Sequence, residues 1–219
     1  MTFLAGASVR AQVVTTNYYS QTVNAPIPDE NPNGYNTAIS VSNIIGTIQG
    51  LSVFLNITNG FNGDLYVWLD NPAGTQAILL NRVGVSGANN NAFGYDDTGF
   101  NVAFNLFATN DIHFYQQLGY TLNGAGQLIN TWAADGRNID PLSSPSLFDS
   151  SPQDETLAQF LDTDPNGDWT LFLADLNGGY ESTLVDWSLQ IETVPEPTSL
   201  ALFGTLGTAA FLFLRRRAK

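Results

Sequence analysis

The segment 184–192, "LVDWSLQIE", decides how the chain folds. Val185, Trp187, Leu189 and Ile191 alternate with Asp186, Ser188, Gln190 and Glu192. A period of two puts one set on each side of a pleated strand, so the segment reads as a half-buried β-strand. The same alternation returns in "LSVFLNIT", with Leu51, Val53, Leu55 and Ile57 on one face. It recurs in "DLYVWLD" (Leu65, Val67, Leu69) and "DWTLFLAD" (Trp169, Leu171, Leu173). Between these runs stand turn signals: Asn59-Gly60, Asn62-Gly63, Asn71-Pro72-Ala73-Gly74, Pro165-Asn166-Gly167 and Asn177-Gly178-Gly179. Short alternating strands between Gly, Pro and Asn turns point to an all-β, two-sheet sandwich. A short helix is expected only over Pro152–Asp162, with Ser151 as its cap, and Val83–Pro152 reads as loops with a few strands.

The 219 residues suit one domain, and 20 Gly, 10 Pro and 12% charged residues fit a turn-rich β protein with a polar, weakly charged surface. Between Gln12 and Thr193 the chain holds two of its seven basic residues and nineteen of its twenty acidic ones, a formal charge of −17. A surface of that sign repels phosphate backbones and excludes nucleic acid as a partner. With no cysteine, disulfides, thiolate chemistry and Cys-based zinc sites are excluded as well.

The basic residues gather instead at the C-terminus. Ser199–Leu214, "SLALFGTLGTAAFLFL", carries no charge and is followed at once by Arg215, Arg216 and Arg217. Hydropathy and the positive-inside rule read 198–214 as a single transmembrane helix, with 215–219 as its basic cytoplasmic end. Val194-Pro195-Glu196-Pro197 precedes it, and the two prolines keep that stretch extended and out of any helix. Motif, apolar span and basic cluster, in that order over 194–219, resemble the PEP-CTERM sorting signal. The resemblance implies an exported protein of a Gram-negative bacterium. It also implies an inner-membrane intermediate, an exosortase-type processing enzyme acting near Pro195, Glu196 and Pro197, and release at the cell surface or outside the cell. Residues 1–11 read as the remnant of a signal peptide, with Val9 and Ala11 suited to a cut before Gln12.

The domain over 12–193 carries a second resemblance. Gly63-Asp64-Leu65, Pro72-Ala73-Gly74-Thr75, Gly167-Asp168-Trp169-Thr170-Leu171, Asp175 and Trp187-Ser188-Leu189 are similar to blocks of the proprotein convertase P domain, or Homo B domain. That resemblance implies a jelly-roll β-sandwich, and a role accessory to a separate subtilisin-like serine protease as the alternative to a structural or binding module.

Catalytic signals are sparse. Gly84-Val85-Ser86-Gly87-Ala88 narrowly misses a nucleophile elbow, His113 is the sole histidine, and Asp96-Asp97 is one adjacent carboxylate pair in a highly acidic chain. The chain is therefore expected to be no enzyme and to require no cofactor. One cation motif stands out. Asp162, Asp164, Asn166 and Asp168 alternate around Gly167 as in the first half of an EF-hand loop, which makes them candidate calcium ligands; Leu173 stands where the closing Glu belongs. Tyr18, Tyr19, Tyr35, Tyr66, Trp68, Phe93, Tyr95, Phe114 and Tyr115 are expected in turns or on outward faces, where aromatic rings beside Asn and Asp suit extracellular polysaccharide.

Overall fold

The computed structural model describes residues 13–194. The chain forms nine strands: β1 (Thr15–Pro26), β2 (Tyr35–Val41), β3 (Thr47–Thr58), β4 (Leu65–Asp70), β5 (Gln76–Asn81), β6 (Phe100–Asn105), β7 (Leu128–Trp132), β8 (Gly167–Asp175) and β9 (Thr183–Val194). They build a five-stranded sheet in the order β1-β9-β3-β6-β7 and a four-stranded sheet in the order β2-β8-β4-β5. The first three strands alternate between the sheets and so do the last two, which gives an all-β sandwich. All neighbours are antiparallel except β6 and β7.

The period-two segments form the core. Leu51, Val53, Leu55 and Ile57 of β3 with Trp187, Leu189 and Ile191 of β9 meet Leu65, Val67 and Leu69 of β4 and Trp169, Leu171 and Leu173 of β8 in one buried cluster. Burial of this apolar area is the main force that closes the two sheets. One assignment changes. In β9 it is Leu184, not Val185, that is buried, because the register slips against both β3 and β1 at this point. Val185 is the extra residue of a β-bulge, which shifts the in–out phase ahead of Asp186. The Asn71 turn joins β4 to β5 as its residues dictate: Asn71 Oδ1 accepts from the amides of Ala73 (3.1 Å) and Thr75 (2.8 Å), and Gly74 takes a φ of +79°.

The helix expected over Pro152–Asp162 reduces to one 3-10 turn, Leu157–Phe160, capped by Thr156 rather than Ser151. The backbone before it is already committed elsewhere. Glu155 donates to Gly136 (3.1 Å) and accepts from Ile78 (2.8 Å), and Gln153 bridges to Arg137. A chain paired in this way cannot begin a helix at Pro152.

β9 lies between β1 and β3 in the larger sheet and sets the polarity of the molecule. Its first residue pairs with Pro26 and Thr58, and at its other end Thr193 pairs with Thr15 and Val194 with Thr47. Twelve strand residues place those ends roughly 36 Å apart. Among the described residues no helix is long and apolar enough to cross a membrane. The signal-peptide remnant at 1–11, Pro195, Glu196, Pro197, the span read at 198–214, and Arg215, Arg216 and Arg217 lie outside the described residues.

Candidate functional site

A cleft of about 400 Å3 opens at the end of the sandwich where β9 begins. Three loops supply it: Phe61 and Asp64 before β4, Phe93–Asp96 before β6, and Asn177-Gly178 between β8 and β9. Gly63 brings the first two together. Its amide donates to Tyr95 (2.8 Å), and a side chain there would collide with the backbone of Phe93 and Gly94. Arg82, buried and with a φ of +48°, ties the floor together through Nε on the Gly63 carbonyl (3.2 Å) and Nη2 on that of Ala92 (3.5 Å). Burial lowers the pKa of this guanidinium, and Asp64 partly opposes the shift.

The cleft pairs flat aromatic rings with carboxylate and amide groups. Phe93 is 76% and Tyr180 68% exposed, and Tyr180 stands edge-on to Phe61 with centroids 5.4 Å apart. Below them Asp64 Oδ1 accepts from Asn177 Nδ2 (2.6 Å). Burial pushes the Asp64 carboxyl up, against the Asn177 hydrogen bond and Arg82. Behind it lies Asp175, fully buried at the end of β8, with Oδ2 accepting from Ser182 Oγ (3.1 Å) and Oδ1 without a partner among the described residues. Burial pushes its pKa up to about 6; the Ser182 bond opposes the rise, and the negative charges of Asp64 and Asp29 add to it. Aromatic rings beside carboxylate and amide groups are the chemistry this arrangement offers a ligand.

The sequence candidates distribute otherwise. Of the nine aromatics, Phe93 and Tyr95 reach the cleft, with Tyr95 forming its wall. Tyr18 is exposed on β1. Tyr19, Tyr35, Tyr66, Trp68 and Phe114 are half-buried. Trp68 stacks on Phe172 at 4.9 Å. Tyr95 and Tyr115 pack against each other in the core at 4.7 Å, which corrects their expected exposure. Phe61, Asp64, Asn177 and Tyr180 were not singled out by sequence as ligand-facing groups.

The Asp162–Asp168 loop lies at the opposite end. Asp162 accepts from Gln49 Nε2 (2.6 Å) and Asp168 from Ser40 Oγ. Asn166 bonds the backbone of Ile44 at both its amide atoms, and Asp164 accepts from Asn166. Each of the four side chains thus has a hydrogen-bond partner within the turn or beside it, and among the described residues no three His, Cys, Asp or Glu side chains converge on one point.

His113 is fully buried, with Nδ1 2.7 Å from Asp135 Oδ2 and Nε2 2.9 Å from the Val85 carbonyl. Ser86 Oγ instead donates to Asp149 (2.6 Å). Serine and histidine are thus adjacent in the fold but not joined as nucleophile and base. Asp135 also accepts from Arg137 Nη1 (3.0 Å), and Arg137 Nη2 reaches Asp111 (2.9 Å). Asp96 lies on the cleft rim, whereas Asp97 accepts from Tyr115 (2.9 Å) and Gln116 (2.8 Å), so that carboxylate pair is divided.

Residues 193–217 match the PEP-CTERM protein-sorting motif. The signal marks an exported protein that is sorted and processed at the membrane, with an exosortase as the enzyme that recognises it. No curated protein matches the chain. Among solved structures, the serine protease of Aeromonas sobria in complex with a chaperone is 15% identical, with a TM-score of 0.45 over 83% of this chain and 27% of that one. The same protease alone is 14% identical, with a TM-score of 0.45 over 86% and 28%. The chain thus spans under a third of the length of those proteases.

Proposed function

We propose that this chain is an exported, non-catalytic protein of the cell surface or extracellular matrix, whose distal cleft holds a segment of extracellular polysaccharide. The tail holds the domain at the membrane through 198–214 until an exosortase acts near Pro195-Glu196-Pro197, and the sandwich is then released or attached outside. One observation carries the reading: the exposed ring of Phe93 and the ring of Phe61, on which the exposed Tyr180 packs edge-on, line one cleft with the Asp64–Asn177 pair at the end opposite Val194. A domain tethered at Val194 presents that cleft outward.

Titration calorimetry of the full chain with oligosaccharides from its host's own exopolysaccharide tests this. Wild type is expected to bind, and Phe93→Ala or Tyr180→Ala to lose about 0.5–1.5 kcal/mol each, the worth of an aromatic contact. No binding by wild type, or unchanged binding after both substitutions, would remove the cleft from the account.

A further inference from the structure

We propose that the end of the sandwich carrying the sorting tail is a lipid-facing surface, on which Val13, Val14 and Ile45 rest against the membrane while the tail is inserted. The inference rests on the reading of 198–214 as a membrane span. β9 delivers Val194 to this end, and Thr193 pairs with Thr15 and Val194 with Thr47. Val13 and Val14 directly precede Thr15, and the Ile45 carbonyl accepts from Thr193 Oγ1 (3.3 Å). All three residues therefore lie at the end where the chain leaves the fold. Ile45 is 77%, Val13 71% and Val14 55% exposed. Scattered apolar residues on a surface are ordinary, but these three exposed β-branched ones share the end from which the tail leaves.

The length of the connection decides what covers these residues. Ser199, where the uncharged run starts, is five residues after Val194. Fully extended, five residues span roughly 17 Å. The headgroup layer takes up about 5–8 Å of that reach. The folded end thus cannot stand far from the bilayer, and so short a tether keeps it at high effective concentration there, so weak apolar contacts suffice.

Charge selects the kind of lipid. Asp162 and Asp164 are exposed near this end, since Ile48 exchanges backbone hydrogen bonds with Asp162 and Thr163, and Asn166 bonds Ile44 and Asp164. Arg82 and Arg137, the basic residues of the described chain, are both buried. A polybasic attraction to anionic headgroups is therefore absent among the described residues, and the contact fits a zwitterionic surface.

The chain has no cysteine, so Ile45→Cys accepts one fluorophore, and Tyr180→Cys places the same label at the opposite end. The full-length protein is reconstituted into phosphatidylcholine vesicles containing a lipid with a headgroup nitroxide quencher. Strong quenching at position 45 with little at 180, weakened by Val14→Asp or by added phosphatidylglycerol, is the expected result. Equal quenching at both positions, in chains that resist alkaline carbonate extraction, overturns the lipid-facing surface and leaves the membrane tail standing. Extraction by carbonate removes the tail reading, and this inference with it. Quenching at position 45 that appears only when an exosortase is co-reconstituted assigns the surface to a protein and overturns the lipid proposal.

Discussion

Asp135→Ala is expected to destabilise the domain by about 3–5 kcal/mol in urea-induced unfolding, the largest loss from any single polar side chain here. Asp135 is fully buried and accepts from His113, from both Nη1 and the backbone amide of Arg137, and from the backbone amide of Asn81. Burial alone would raise its pKa, but His113 and Arg137 outweigh it and hold the carboxyl below the ordinary range. Removing the carboxylate leaves a buried guanidinium and a buried imidazole facing an empty site. The damage would spread, because this network attaches the irregular middle of the chain to the sandwich. Asn81 Nδ2 donates to the carbonyls of Arg137 and Ile139, and Gln153 Nε2 donates to Asp111. Removing Arg137 as well should recover part of the loss, since the two charges answer each other. A loss below about 1 kcal/mol would show that the network is a passenger.

The second large effect is a rise in stability on mild acidification. Burial raises the folded pKa of Asp175 to about 6, above the ordinary aspartate value of 3.8, so the folded state binds the proton more tightly. A group shifted in this direction contributes fully below its unfolded pKa, and the contribution is lost as pH rises through the folded one. The shift corresponds to on the order of 2–3 kcal/mol lost between about pH 4 and pH 7. Asp64 is shifted in the same direction and adds to the trend. Below the ordinary carboxylate range Asp135 acts oppositely: its depressed pKa stabilises the fold above that range, and this is lost as pH falls. Thermal melts should therefore peak on the acid side of neutrality, and Asp175→Asn should flatten the slope between about pH 7 and pH 5. A wild-type melting temperature that is level or falling across that interval would contradict the buried, strained carboxyl.

What the sequence disclosed and what it concealed divide along physical lines. Strands β3, β4, β8 and β9 were legible because each buries one face, and a period of two is the direct trace of that. The bulge at Val185 was not, since it depends on which residues of β3 and β1 lie opposite. The helix expected after Ser151 failed for a similar reason: Gln153 and Glu155 are claimed by Gly136, Arg137 and Ile78, far away in sequence. Of the cleft, Phe93 and Tyr95 were on the aromatic list, but Asp64 and Asn177 lie 113 positions apart and meet only once β4 and β8 are paired. The available signal was a pair of Gly-rich turns, Asn62-Gly63 and Asn177-Gly178-Gly179, each beside an aromatic residue, Phe61 and Tyr180. The Asp162–Asp168 spacing copies half of a calcium loop, and local spacing gives no trace of the bonds Asn166 makes to the distant Ile44 backbone.

In the route proposed above, the chain is exported, held briefly by its tail and cut beside the folded domain. Cell fractionation of the native host followed by intact-mass spectrometry tests it most directly. The expected product is a mature species that ends near Pro195-Glu196-Pro197 and is found outside the inner membrane. A full-length species that retains Arg215–Lys219 in the inner membrane would contradict it.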